Sequence, residues 1–432
     1  MKAAAFDYVR AADAAEAQAL LAHHGEGARL LAGGQTLLAT LNLRLSEPAI
    51  LIDVGRIGLD AIERRGTTLH IGAMATHAAI GRSALVARCA PMLAEAAPLI
   101  AHPAIRNRGT LGGSLGMADP AAEWPACVLA LGADVVLSST ARGVRRVAAE
   151  DYFHGLYQTA ALPDEMILGV DFPVAGSERQ ACMELARRHG DYAIVGVAMT
   201  LRLEAGLVRG PSRRLLRRGP HAHAGARRDG RRRGPSPGRG RAILPRHRPR
   251  AAGRPGHGRR NPPAPGGRAV QARRHEACGM KITLTVNGEA VALDVEPRMH
   301  LIDALREKLD LTGSHVGCEH GVCGACTIRL DGVAVRGCLV LAVQAEGCAV
   351  QTVEGMAQDP RFDALRAAFI ARNALQCGYC TPGMLAAAAD LLDSPAMPDR
   401  DAIRAHMSGN YCRCTGYQAI IDAVEAVLRE RS

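Results

Sequence analysis

Eight of the thirteen cysteines stand in two groups whose spacing can hold metal. The first is Cys318-x4-Cys323-x2-Cys326, followed by Cys338. This is the plant-type spacing of a [2Fe-2S] cluster, in which two irons each take two thiolates beyond the bridging sulfides. Gly317, Gly321 and Gly324 are interleaved with the ligands, so the backbone can wrap a cluster closely and aim N–H groups at its sulfurs. The second group joins Cys377-x2-Cys380 to Cys412-x-Cys414, again four thiolates, gathered from two chain segments. Alone, that set would satisfy an all-thiolate zinc site; beside a ferredoxin-type loop, a second [2Fe-2S] site is the better reading. A Rieske centre is disfavoured because Cys318-x-His320 has no Cys-x2-His counterpart, which leaves His320 a solvated loop residue. Cys89, Cys127, Cys182, Cys278 and Cys348 show no ligand spacing and read as packing thiols.

Two glycine-rich segments are the other chemical signal: Ala32-Gly33-Gly34-Gln35-Thr36, after a strand, and Thr110-Leu111-Gly112-Gly113-Ser114, shortly after Asn107. Paired glycines let backbone N–H groups close on phosphate oxygens. Neither segment is the Gly-x-Gly-x-x-Gly of a Rossmann turn, and taken singly each is also an ordinary turn.

These residues need elements to position them. Residues 1–176 read as α/β, with a helix from its N-cap Asp13 to His24 stopped by Gly25. Strands are expected at Arg29–Leu31, Ile50–Asp53, Thr67–Ile71 and Met166–Phe172, and helices across residues 76–100. Residues 177–210 begin another unit, with a strand over Tyr192–Leu203. Residues 280–355 read as a sheet-rich domain with hairpin turns at Asn287-Gly288 and Asp331-Gly332 and a helix over His300–Leu309. Residues 356–432 read as a helical bundle whose last helix carries Tyr417, Ile420, Ile421, Val424, Val427 and Leu428 on one apolar face.

Between them, residues 211–279 change character. Residues 211–278 hold 20 Arg and no Lys against Asp229 and Glu276, with 10 Pro and 11 Gly. Such a composition cannot pack a core. It reads as a disordered basic linker or, the favoured alternative, as coding sequence translated out of frame, since Met280 opens a freshly patterned domain. The formal net charge of +11 comes from this segment, and neither terminal region has the basic surface of a nucleic-acid binder. No run of 18 apolar residues occurs, and no signal peptide is recognised, so a cytoplasmic protein without a membrane span is expected.

Longer motifs carry a resemblance. Gly317-Cys318-Glu319-His320-Gly321-Val322-Cys323-Gly324-Ala325-Cys326, Gln376-Cys377-Gly378-Tyr379-Cys380-Thr381-Pro382-Gly383 and Asn410-Tyr411-Cys412-Arg413-Cys414-Thr415-Gly416-Tyr417 resemble the small iron–sulfur subunit of the xanthine dehydrogenase and carbon monoxide dehydrogenase (molybdenum hydroxylase) family. Ala32–Leu38, Ile71-Gly72-Ala73, Ile105–Ser114, Ala118–Glu123 and Arg188–Ala193 resemble its medium FAD-binding subunit. Ser114 and Gly116-Met117 depart from the commoner residues of that pattern. The resemblance implies an α+β multidomain chain: a two-part α/β FAD-binding domain, a β-grasp ferredoxin domain and an all-α [2Fe-2S]-binding helical bundle. It implies that residues 32–36, Asn107 and residues 110–114 bind FAD with Asp119 and Tyr192, Tyr192 lying near the isoalloxazine. Gln376 and Cys414 would approach a molybdopterin that sits on a separate large subunit. Electrons would pass from that subunit through the helical-domain cluster and the ferredoxin-type cluster to FAD, and on to an external acceptor such as a quinone or NAD. No catalytic residue is expected in this chain. The alternatives are a self-contained flavin and iron–sulfur reductase, for which no nicotinamide fingerprint is found, and an inactive fused product.

Overall fold

Asp13 accepts from the Glu16 amide and Gly25 takes φ 53, so the helix Ala14–His24 starts and stops where its caps require. It crosses over a parallel three-stranded sheet ordered Asp7–Arg10, Ile50–Asp53, Ala28–Leu31. The central strand, Ile50–Asp53, is buried throughout, as a covered parallel strand must be. From Leu31 the chain turns through Ala32–Thr36 into the helix Leu37–Asn42.

The described residues are 2–176, 178–204, 207–217, 279–394 and 397–430 of a computed structural model. The second part of the N-terminal half is not parallel α/β. Its five strands run Ile62–Arg65, Thr68–Gly72, Met166–Pro173, Asp134–Ser139, Gly143–Ala148, and every neighbouring pair is antiparallel. Gly66 at φ 63 and Gly143 at φ 65 supply the tight reversals that join two of those pairs. Short helices between His77 and Leu131 cover the sheet around Trp124, Leu69, Ile71, Leu137 and Phe172.

A three-stranded antiparallel sheet follows, Arg179–Leu185, Val195–Glu204 and Leu207–Arg217. The last strand therefore continues past Pro211, where composition alone marks the start of the Arg/Pro segment. Backbone pairing needs no apolar period, which is why composition misses it. Residues 218–278, including Cys278, lie outside the described residues, so the linker and out-of-frame readings gain no structural account.

The five-stranded mixed sheet of residues 280–351 is ordered Glu289–Val295, Met280–Val286, Ala349–Gln351, Thr327–Leu330, Val333–Arg336, with the helix Leu301–Lys308 packed on it. Asn287 and Gly288 have φ of 51 and 90, and Asp331 and Gly332 of 48 and 80, so both hairpins turn through the left-handed region. Pro360–Ala371, Thr381–Leu392, Arg400–Met407 and Gln418–Glu430 form the final bundle. Tyr417 is not in its last helix: it precedes it at φ 70, and its hydroxyl donates to the Asn410 carbonyl and accepts from the Cys412 amide.

All these elements belong to one unit. Ala3, Phe6, Leu31, Leu38, Leu41 and Leu51 share one apolar core with Ile282, Leu301, Ile328 and Leu339. Asn42 seals that junction, donating to the Glu319 carbonyl at 2.6 Å while its Oδ1 lies 2.9 Å from His300 Nε2. Among the described residues no helix is long and apolar enough to cross a membrane.

Candidate cofactor sites

The two glycine-rich segments meet. A Cβ on Gly33 would stand 1.9 Å from the Arg108 carbonyl oxygen, and Gly34 takes φ 77. Behind them, the Gly112 amide donates to the Ala73 carbonyl at 2.8 Å and the Leu111 amide to Ala75 at 3.0 Å. Thr110 caps the helix Leu111–Met117 by accepting from the Gly113 amide, and Ser114 lies in that helix. Among the described residues the amides of Gly33, Gly34, Gln35 and Thr36 have no acceptor within the chain. This is the donor array a pyrophosphate needs. Gln35 is set between the halves: its Nε2 donates to Gly33 O at 2.7 Å and to Leu339 O at 3.2 Å, while its buried Oε1 has no partner. Asn107 is also at the junction, donating to the Ala334 carbonyl at 2.9 Å and accepting from Arg82 at 3.2 Å.

Asp119 and Tyr192 are neighbours. Asp119 accepts from the Ala121 amide at 2.9 Å, and burial followed by the charge of Asp119 pushes the Tyr192 hydroxyl up to about 12. Tyr192 remains 52% exposed, enough to offer its ring to a ligand. Next to them Glu123 is buried, which raises its pKa to about 8, with Glu184 and Asp119 adding to the shift. In the unfolded chain this carboxyl ionises near 4.5, so the stability it contributes is complete below that pH and is lost as pH rises through about 8. Glu123→Gln is therefore expected to flatten the decline in stability between those limits, by about 1.4 kcal/mol for each pH unit spanned. Urea melts of both chains at intervals across the window check this, and parallel curves would refute it.

In the ferredoxin-type loop Cys326 and Cys338 are buried while Cys318 and Cys323 are half-buried. The Cys323 amide points at Cys318 Sγ, 3.4 Å away, and Gly317 leaves room where a Cβ would stand 3.1 Å from Cys323 Sγ. Contact with Cys323 and then Cys338 pulls Cys318 well down, and contact with Cys318 pushes Cys323 well up. Glu319, Gly321 and Gly324 all have positive φ, which turns the loop around its sulfurs. His320 is exposed, with Nδ1 2.5 Å from the Cys318 carbonyl oxygen.

In the helical part the thiols pair across the two segments. Cys377 and Cys414, both exposed, have sulfurs 3.6 Å apart. Cys380 is pushed up to about 12 by burial and then by its hydrogen bond with Cys412. Among the described residues no three His, Cys, Asp or Glu side chains are arranged around a single ion. Four thiolates drawn from two segments are the donor set that either an all-thiolate zinc site or a two-iron cluster uses. Gln376 lies exposed beside Cys377. Cys89, Cys127, Cys182 and Cys348 are all buried.

The two cysteine sites adjoin. The Tyr411 amide donates to the Cys323 carbonyl at 2.8 Å. Tyr379, between Cys377 and Cys380, donates from its hydroxyl to Val316 at 2.7 Å and stacks on His315 with centroids 4.7 Å apart. Arg188 reaches from the N-terminal half to hydrogen-bond the Tyr411 hydroxyl, its guanidinium 4.2 Å from the ring centroid. Motif spacing does not reveal these contacts, nor the buried Arg336 and Asn410 between the two sites, because every partner is distant in sequence.

The family described as the FAD binding domain in molybdopterin dehydrogenase matches residues 4–175, and the [2Fe-2S] binding domain matches residues 352–425. Over 152 residues the chain is 55% identical to caffeine dehydrogenase subunit gamma of Pseudomonas sp. (strain CBB1), covering 34% of this chain and 89% of that one. Over 206 residues it is 39% identical to subunit beta of the same enzyme, covering 47% of this chain and 70% of that one. It is 43% identical over 206 residues to the 6-hydroxypseudooxynicotine dehydrogenase complex subunit alpha of Paenarthrobacter nicotinovorans, covering 47% and 69%. Together with the sites above, these matches define an oxidoreductase subunit with FAD-binding and [2Fe-2S]-binding domains. The chain belongs to the molybdenum hydroxylase family.

Proposed function

We propose that this chain conducts electrons from a separate molybdopterin-binding subunit to FAD and an external acceptor, using two [2Fe-2S] sites. The observation that carries the reading is the adjacency just described: the Cys377/Cys380/Cys412/Cys414 set abuts the Cys318/Cys323/Cys326/Cys338 set, and Gln35 ties the latter to the glycine cradle through the carbonyl next to Cys338. When bound, clusters supply single-electron steps and a flavin supplies the change between one and two electrons. The chain's own residues hold and insulate. Gly33–Thr36 offer amides to a pyrophosphate, Tyr192 offers a ring held by Asp119, and the burial of Cys326 and Cys338 keeps water from the inner thiolates. Exposed Cys377, Cys414 and Gln376 form the end that faces a partner. That the chain resembles both the beta and the gamma subunit of one dehydrogenase supports reading it as two ordinarily separate subunits in one polypeptide. It equally supports placing the substrate-selecting residues on the partner.

Anaerobically purified protein is expected to hold about four irons and no zinc, and to show two distinct EPR signals on reduction. Cys326→Ser should remove one signal and Cys412→Ser the other, each with about two irons. Zinc, or about two irons in the unaltered chain, would sink the proposal.

A further inference from the structure

Arg336 ends the strand Val333–Arg336 two residues before Cys338 and is 1% exposed. Its Nη1 donates to the Thr327 hydroxyl and, at 2.9 Å, to Asn410 Oδ1; its Nη2 donates to the Gly409 carbonyl at 2.6 Å. All three acceptors are uncharged, and its buried Nε has no partner. A guanidinium buried without a counter-charge is strongly unfavourable, so an anion belongs beside it. The chain beside it carries the cysteines: Cys338 stands two residues on, and the intervening Gly337 amide donates to the Cys326 carbonyl at 3.0 Å. The Nη1 of Arg336 lies 2.9 Å from where a Cβ would stand on Gly324, inside the loop that carries Cys318, Cys323 and Cys326. On the other side stand His102 and His406, both held low by burial with Arg336 contributing, and an imidazole, neutral or protonated, supplies no negative charge.

We propose that Arg336 is the counter-cation of the ferredoxin-type cluster and raises its reduction potential. This rests on the reading of Cys318, Cys323, Cys326 and Cys338 as [2Fe-2S] ligands. Such a cluster is anionic and gains one more negative charge on reduction, and net charge and burial are among the terms that set its potential. A fixed positive charge in a dry site stabilises the reduced form more than the oxidised one. The effect is selective, because Cys377 and Cys414 are exposed and their site is screened by water. Arg336 thus acts through the cluster as a positioning residue for charge, while its three hydrogen bonds clamp the two cysteine sites together.

The test is a redox titration of the whole chain followed by EPR, comparing Arg336→Gln and Arg336→Lys with the unaltered protein. The Cys326→Ser and Cys412→Ser chains identify which signal is which. Arg336→Gln is expected to lower the equilibrium constant for reducing the ferredoxin-type cluster at least tenfold, about 59 mV for one electron. The helical-domain cluster should shift much less, and Arg336→Lys should stay close to the unaltered protein. A folded Arg336→Gln chain that loads only the helical-domain cluster also supports the assignment. It is overturned if Arg336→Gln holds both clusters at unchanged potentials. It is overturned as well if Arg336→Gln and Arg336→Lys both fail to fold, since the residue is then a clamp of fixed shape rather than a source of charge. Absence of iron signals from the unaltered chain is a different failure, that of the cluster reading itself.

Discussion

Gly33→Ala is expected to purify with its iron and without its flavin. The added methyl would stand 1.9 Å from the Arg108 carbonyl oxygen, and both groups are backbone-anchored, so neither can swing aside. The segments 32–36 and 107–114 must part, and the backbone of Gly33–Thr36, whose amides have no acceptor within the chain among the described residues, is displaced. A pyrophosphate held by several amides at once loses most of its affinity when they diverge, since each charge-assisted bond contributes about 1.5–3 kcal/mol. More than a tenfold fall in bound flavin per chain is the expected result, read from absorbance beside an iron assay. Flavin content equal to that of the unaltered protein would show that the cradle is elsewhere.

The second large effect is expected at Gly383, in the first turn of the helix Thr381–Leu392. A Cβ there would lie 2.4 Å from the Gly324 carbonyl oxygen and 3.1 Å from that of Ala325, so the helical bundle rests on the ferredoxin loop backbone to backbone. Gly383→Ala inserts a methyl into that contact and strains the Tyr411 amide bond to Cys323 and the Asn410 bonds to Gly324 and Gly383. Overpacking of this kind costs about 1–3 kcal/mol. Iron and flavin should remain, while unfolding shifts to lower denaturant and any magnetic interaction between the two reduced clusters weakens. A denaturation midpoint unchanged from the parent would count decisively against this view of the interface.

Local rules read much of this molecule. Asp13 and Gly25 bound a helix, and Asn287-Gly288 and Asp331-Gly332 make hairpins, because each signal is decided within a few residues. What escapes has a common cause. The strands Asp134–Ser139 and Met166–Pro173 lie inside one sheet and show no clean alternation, so nothing local declares their antiparallel pairing. Tyr417 has the right spacing for the apolar stripe, yet the turn at Gly416 and Tyr417 lifts it out to bracket Cys412. Arg336 looks like any strand-end arginine until Asn410, 74 positions away, closes over it.

The apolar core shared by Phe6, Leu38 and Leu51 with Ile282, Leu301 and Leu339 bears on biosynthesis. Either half made alone leaves a greasy face with no water-compatible alternative, the sort of surface that chaperones retain and proteases find. Synthesis in equal amounts at one place protects both halves, and that advantage does not depend on which is translated first.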